Sequence, residues 1–351
     1  MSTIRVLVVE DSLTVRKRLI EILTADRDFA VIGEAEDGKT AVALCQALRP
    51  DVVTLDMMLP VMSGLAVTEH VMAHFPTPIL IVSASTNRGE VYRTYEALAA
   101  GALDVLEKPM GTEGAGEWEQ KFLSTLKLLS RIRVITHPRA KLTAPPTAAA
   151  RIARGSRGRG YGAVAIGAST GGPAAIREVL RGLPADFPLP ILIVLHMAEG
   201  FGLAYADWLD GQSPLRVNCA RDGEPLASPD AGRVLVAPPD AHLILRDGLL
   251  RLTHAPERNF CRPSVDVLFE SVARELGPRA IACLLTGMGK DGAAGLLQVR
   301  RAGGRCLAQD EASSVVYGMP REAALLGAAH QVLPLSEIAN AIVHFADAIG
   351  A

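Results

Sequence analysis

The sequence predicts an α/β protein built from two doubly wound parallel-sheet domains, the first with five strands and the second with an added antiparallel hairpin. Three observations carry this. The first third alternates short apolar runs with helix-period segments. The last half holds apolar runs that end on polar residues and glycine-rich loops. A basic strip without apolar periodicity separates the two. Residues 4–9 (IRVLVV) end at Glu10-Asp11, the mark of a buried parallel strand. A helix with Val15, Leu19, Ile20 and Leu23 on its apolar face follows. Then come AVIGEA, a helix near 38–48, DVVTLD, a helix near 64–74, PILIVSA, a helix near 89–100 and LDVLEKP. Strict β–α alternation gives a parallel sheet with helices on both faces. In the second half, 162–168 (GAVAIGA) reads as a strand and 173–181 as a helix. PILIVLH (190–196) and RAIACLLTGMGKDG (279–292) are further strand–loop elements, a hairpin turns at Asp247-Gly248, and 308–320 is a strand-to-helix passage.

Charge divides the chain the same way. Net charge is −6 over residues 1–130, +8 over 131–160 and −4 over 161–351. The expected organisation is therefore a domain at 1–130, a basic Ala/Pro/Gly/Arg linker at 131–160 and a second domain at 161–351. The strip has no interleaved aromatics and no helix-turn-helix signal accompanies it, so contact with an acidic partner or an acidic neighbouring domain is expected and nucleic acid is not. The apolar start is too short for a signal peptide, and no run reaches membrane-spanning length, so no membrane insertion is expected. Five cysteines are scattered without a C-x-x-C pair. That pattern speaks for free thiols in a reducing cytoplasm and against structural zinc.

The strand ends of the first domain offer Glu10, Asp11, Asp56, Ser83 and Lys108 to one crevice. Three clustered carboxylates repel one another unless a cation sits among them, and oxygen ligation suits Mg²⁺. An aspartate there can accept a phosphoryl group, with Ser83 and Lys108 holding its oxygens. These residues and the Lys108-Pro109 step resemble the receiver domain of two-component response regulators, over residues 1 to about 127. The resemblance implies Asp56 as phospho-acceptor, Mg²⁺ on Glu10, Asp11, Asp56 and the Met58 carbonyl, and Ser83 as the switch hydroxyl.

In the second domain, AIGASTGGPAAI (165–176) admits two readings, a phosphate cradle or a nucleophile turn. A Walker A loop requires a lysine where Pro173 stands, and G-x-G-x-x-G is absent. G-x-S-x-G does match, at Gly167–Gly171. The apolar run at 190–196 ends on His196, and the loop at 285–292 carries Asp291. A serine, a histidine and an aspartate thus reach one sheet edge, the set that activates a hydroxyl nucleophile. Asp310 is the rival acid. His242, His254, His330 and His344 are expected in packing or surface roles.

IGASTGG, LHM, VAPPDAHL, RPSVDVLF, TGMGKDG and AQDEASSVVYGMP together resemble the chemotaxis-type protein-glutamate methylesterases, response regulators with a C-terminal esterase domain. Leu195 and Ala198 depart from the Gln and Pro common in that family, and MMLPVMSG departs after Asp56. The resemblance implies Ser169 as nucleophile, His196 as base and Asp291 as acid, with Thr170 and the Met288 N–H supporting the site and its oxyanion. It further implies hydrolysis of glutamate methyl esters on methyl-accepting receptors, deamidation of receptor glutamines, a chemotaxis histidine kinase as phosphodonor, and no cofactor for the ester reaction. An unphosphorylated receiver covering the cleft is the expected control. The same chemistry in a non-motility receptor pathway, or a non-enzymatic binding output, are the alternatives.

Overall fold

Apolar runs flanked by short polar loops leave the backbone few choices, and the first unit follows them closely. The structure, a computed structural model, describes residues 3–84, 88–108, 116–132, 134, 162–197, 199–227 and 232–350. Most of the basic strip, Pro109 and Ala198 lie outside these residues. The chain divides into two units between residues 144 and 145.

In the first unit, β1 (Ile4–Val9), β2 (Phe29–Ala35), β3 (Val52–Leu55), β4 (Ile79–Ser83) and β5 (Asp104–Glu107) form a sheet of order β2-β1-β3-β4-β5. Every pairing is parallel. The intervening helices are α1 (Leu13–Ala25), α2 (Gly38–Leu48), α3 (Gly64–His74) and α4 (Arg88–Ala100), and α5 (Glu117–Leu129) closes the unit. Val6, Leu7, Val8, Val53, Leu55 and Ile81 are buried along the central strands, as both-face coverage of a parallel sheet requires. The order reverses between β1 and β3, so their carboxyl ends open a crevice where Glu10 and Asp56 emerge. Arg16 of α1 fixes the loop there, donating to the Glu10 carbonyl at 2.6 Å and the Asp11 carbonyl at 3.3 Å.

The second unit centres on seven parallel strands. They are β6 (Ala163–Ala168), β7 (Ile191–Leu195), β8 (Val217–Cys219), β9 (Val234–Val236), β12 (Ala280–Leu284), β13 (Arg305–Gln309) and β14 (Gln331–Leu333). Their order is β14-β13-β12-β6-β7-β9-β8. The antiparallel hairpin is β10 (His242–Arg246) with β11 (Leu249–Thr253), and Asp247 and Gly248 in its turn both have positive φ. Helix α6 (Gly172–Arg181) buries Ala175, Ile176, Val179 and Leu180 on one stripe. Pro173 sits in its first turn, where a missing N–H costs nothing. Helix α8 (Val265–Leu276) packs Leu268, Phe269 and Val272 into the core and begins at the N-cap Ser264. Helix α7 (Glu199–Asp210) follows β7, α9 (Ala293–Arg301) follows β12, and α10 (Met319–Leu325) and α11 (Leu335–Gly350) complete the unit.

Candidate active site

Strand register places Ser169, the expected nucleophile, beside His196, the expected base. β6 and β7 pair with Ala168 opposite Leu195, so Ser169 and His196 leave the sheet side by side. The His196 N–H donates to the Ala168 carbonyl at 3.0 Å, and the Ser169 N–H donates to Thr286 past the end of β12 at 3.0 Å. Asp291 lies five residues further along that loop. Three adjacent strands therefore supply the three side chains, although β8 to β11 intervene in the chain.

Asp291 is buried and accepts from every side. Its Oδ2 takes His196 Nε2 at 2.9 Å and the Val265 N–H at 2.6 Å. Its Oδ1 takes Ser264 Oγ at 2.8 Å, Asn259 Nδ2 at 3.0 Å and the Asp266 N–H at 3.4 Å. The two backbone donors open α8, so the carboxylate sits at a helix N-terminus. Burial alone would raise its pKa, but His196, Asn259 and Ser264 outweigh that and lower it to about 2. Burial pulls His196 down, yet the Asp291 hydrogen bond, with the Cys261 contact and the Asp291 charge, raises it to about 9. An anionic carboxylate can only accept, so when the imidazole is neutral its proton stays on Nε2 and Nδ1 carries the lone pair. Among the described residues, Ser169 Oγ has no hydrogen bond to His196. Such contacts commonly tighten only when substrate binds.

Thr170 is buried, and its carbonyl accepts from Thr286 Oγ1 at 3.0 Å. Met288 lies half exposed on the loop between β12 and α9, and no described residue engages its N–H. Gly167 has no room for a side chain: a Cβ there would meet Val265 Cγ1 at 2.2 Å, beside the Asp291 contacts. Gly167→Ala is therefore expected to lose about 1–3 kcal/mol of stability and to lower turnover by shifting Val265, readable as a fall in Tm together with slower ester hydrolysis.

The rival acid is elsewhere. Asp310 caps Ser313 through its Oδ1 at 3.0 and 2.6 Å. His242 is buried and accepts the Ser264 N–H on Nδ1 at 3.1 Å, His254 meets the Asp240 carbonyl, and His330 Nδ1 accepts from the Cys306 N–H. Asn259, Ser264 and Cys261 are the contributors that sequence reasoning passed over. Ser264 had a signal, a serine standing just before an apolar helical run.

In the first unit, Lys108 Nζ lies 2.9 Å from Glu10 Oε2 and 3.0 Å from Asp56 Oδ2. Burial, then the Asp56 charge, pushes Glu10 up to about 7 against the pull of Lys108. Oxygens of Glu10, Asp11 and Asp56 lie within 4.8 Å of one another, and Asp56 Oδ1 is buried without a hydrogen-bond partner. That all-oxygen set with an orphaned acceptor fits a hard cation such as Mg²⁺. Met58 is partly exposed beyond Asp56. Ser83 is fully buried and donates to Glu90 Oε1 of α4 at 2.5 Å rather than to Asp56.

With this geometry in place, the chain can be set beside known proteins. The profile of the family described as CheB methylesterase matches residues 164–342, and that of the response regulator receiver domain matches residues 6–114. A protein-glutamate methylesterase/protein-glutamine glutaminase 2 of Anaeromyxobacter dehalogenans is 47% identical over 97% of this chain and 96% of its own length. One of the same description from Pseudomonas aeruginosa is 44% identical over 97% and 96%. The crystal structure of the Thermotoga maritima CheB methylesterase catalytic domain is 38% identical, with a TM-score of 0.50 over 52% of this chain and 98% of that one.

Proposed function

The chain belongs to the CheB methylesterase family, with a receiver domain ahead of the catalytic domain, and from that premise we propose the following mechanism. The enzyme is a protein-glutamate methylesterase and protein-glutamine glutaminase that demethylates chemotaxis receptors. The observation that carries the site assignment is the Asp291–His196 pair at 2.9 Å, beside a serine on the adjoining strand.

Ser169 attacks the ester carbonyl of a receptor glutamate while His196 Nδ1 takes its proton. The carbonyl oxygen gathers charge, and the Met288 N–H, with Thr170 shaping the loop, holds it; one such donor is worth about 3–4 kcal/mol. His196 then returns the proton to the leaving methoxide, and methanol departs. Water, deprotonated by the same base, attacks the acyl-enzyme and releases the glutamate carboxylate and Ser169. With glutamine the leaving group is ammonia. Asp291 holds the ring and stabilises the imidazolium at each transfer.

Control lies at Asp56, the phospho-acceptor, with a chemotaxis histidine kinase as donor in the cytoplasm. Mg²⁺, held by Glu10, Asp11, Asp56 and the Met58 carbonyl, would offset the charge of the incoming phosphoryl oxygens. Lys108 steadies those oxygens, and Ser83 turns from Glu90 toward them. That exchange breaks the Ser83–Glu90 bond on α4 and passes the signal to the helix. Among the described residues no helix is long and apolar enough to cross a membrane. Methanol release from methylated receptor, with and without a small phosphodonor, tests this. Asp56→Asn is expected to keep the basal rate and lose the stimulation; stimulation that persists would move the acceptor elsewhere.

A further inference from the structure

Cys261 takes no part in that chemistry, yet the fold holds it against the catalytic base. The turn from Arg258 to Cys261 closes with reciprocal hydrogen bonds, Arg258 N–H to Cys261 carbonyl at 3.2 Å and Cys261 N–H to Arg258 carbonyl at 3.0 Å. Its central residues, Asn259 and Phe260, have φ of 53° and 61°. A phenylalanine there occupies a position that favours glycine, at a cost of about 1–2 kcal/mol. The turn is tethered as well as strained: Asn259 Nδ2 donates to Asp266 Oδ2 at 2.9 Å and to Asp291 Oδ1 at 3.0 Å. Cys261 Sγ is thereby set 3.7 Å from His196 Nδ1, and it is half-buried, within reach of solvent.

That separation has a chemical meaning. Zinc bonds of about 2.3 Å to sulfur and about 2.0–2.1 Å to nitrogen, at a tetrahedral angle, put the two donors about 3.6 Å apart. The other ring nitrogen already donates to a carboxylate, the arrangement that orients metal-bound histidines. Donor atoms of His196, Cys261 and Asp291 all lie within 4.8 Å of one another. We propose that a thiophilic divalent cation, zinc, binds between His196 Nδ1 and Cys261 Sγ, with Asp291 backing the imidazole, and that the occupied site is an off state of the esterase.

On binding, the Cys261 thiol and the protonated Nδ1 each release a proton to solvent, and the thiolate and the Nδ1 lone pair each form one bond to the ion. Water completes the coordination, and nothing is oxidised or reduced. The lone pair so engaged is the one that accepts the Ser169 proton, so the base is withdrawn. The ion differs in kind from the one that suits Glu10, Asp11 and Asp56: sulfur and imidazole select zinc, carboxylates select magnesium. Inhibition rests on the assignment of His196 as the base; binding does not.

The test uses the full chain in excess Mg²⁺, which fills the oxygen site, with Co²⁺ as a spectroscopic stand-in for zinc. One equivalent of Co²⁺ is expected to give a thiolate-to-cobalt charge-transfer band that zinc displaces and that Cys261→Ser lacks. Zinc is expected to inhibit methanol release reversibly under a chelator. Cys261→Ser should need about tenfold more zinc or beyond, each protein being measured against its own chelated rate. Absence of the band in the wild type, or equal zinc sensitivity in the variant, would overturn the site. A band without inhibition would overturn the off state. No methanol release from the chelated wild type would instead count against the esterase assignment.

Discussion

Replacing Ser169 with alanine is expected to abolish methanol release from methylated receptor and ammonia release from receptor glutamine together. The expected loss is about four to six orders of magnitude in kcat, the range seen when single members of a serine-hydrolase triad are removed. What survives is the oxyanion contact at Met288 and simple positioning, which still accelerate hydrolysis by water. Stability should barely move. Among the described residues the Ser169 hydroxyl has no hydrogen-bond partner, so its removal orphans nothing, and the change should stay within about 0.5 kcal/mol. The pairing of an unchanged thermal midpoint with lost turnover is what separates a nucleophile from a structural serine. Equal losses of both reactions would further show that one hydroxyl serves ester and amide. A variant that keeps the wild-type rate would remove Ser169 from the chemistry.

Why that residue could be found in the sequence, while its supporters could not, has a physical basis. Strands such as Ala163–Ala168 and Ile191–Leu195 are buried on both faces, so their apolar runs and polar ends stand out. The five-stranded first unit is legible for the same reason, and its helix at 38–48 runs as expected, Gly38–Leu48. The short strands Val217–Cys219, Val234–Val236 and Gln331–Leu333 have three residues each, too few for a period to show. Asn259 and Cys261 reach the site through a turn whose path depends on tertiary contacts with Asp266 and Asp291. No local pattern encodes that path. Ser83 was visible as a strand-end hydroxyl, but its bond to Glu90 depends on how α4 packs, which spacing alone does not fix.

The acid offers the second large effect, and its size depends on pH. Asp291→Asn is expected to lower kcat/KM at neutral to alkaline pH by up to about 10⁴-fold, as when an amide replaces the acid of a serine-protease triad. Two causes combine. The amide carries no charge to stabilise the imidazolium that forms as Ser169 attacks. Its NH₂ must also face donors in either orientation, the Val265 N–H at the Oδ2 position or the Asn259 amide and Asp266 N–H at the Oδ1 position. When it faces His196, it pushes the imidazole proton onto Nδ1, where the base should be empty. The wild-type base is neutral only as pH passes through about 9, so kcat/KM should climb through the neutral range and level off there. Without the carboxylate, burial, the largest influence, is opposed only by the Cys261 contact, so the His196 pKa falls below its wild-type value. The variant should therefore reach its low plateau at a lower pH than the wild type, and the gap between them should widen as pH rises toward 9. Paired pH profiles of kcat/KM read both parts at once. A variant whose profile keeps the wild-type inflection would mean that Asp291 does not set the charge of His196, and the acid of the triad would have to be sought elsewhere.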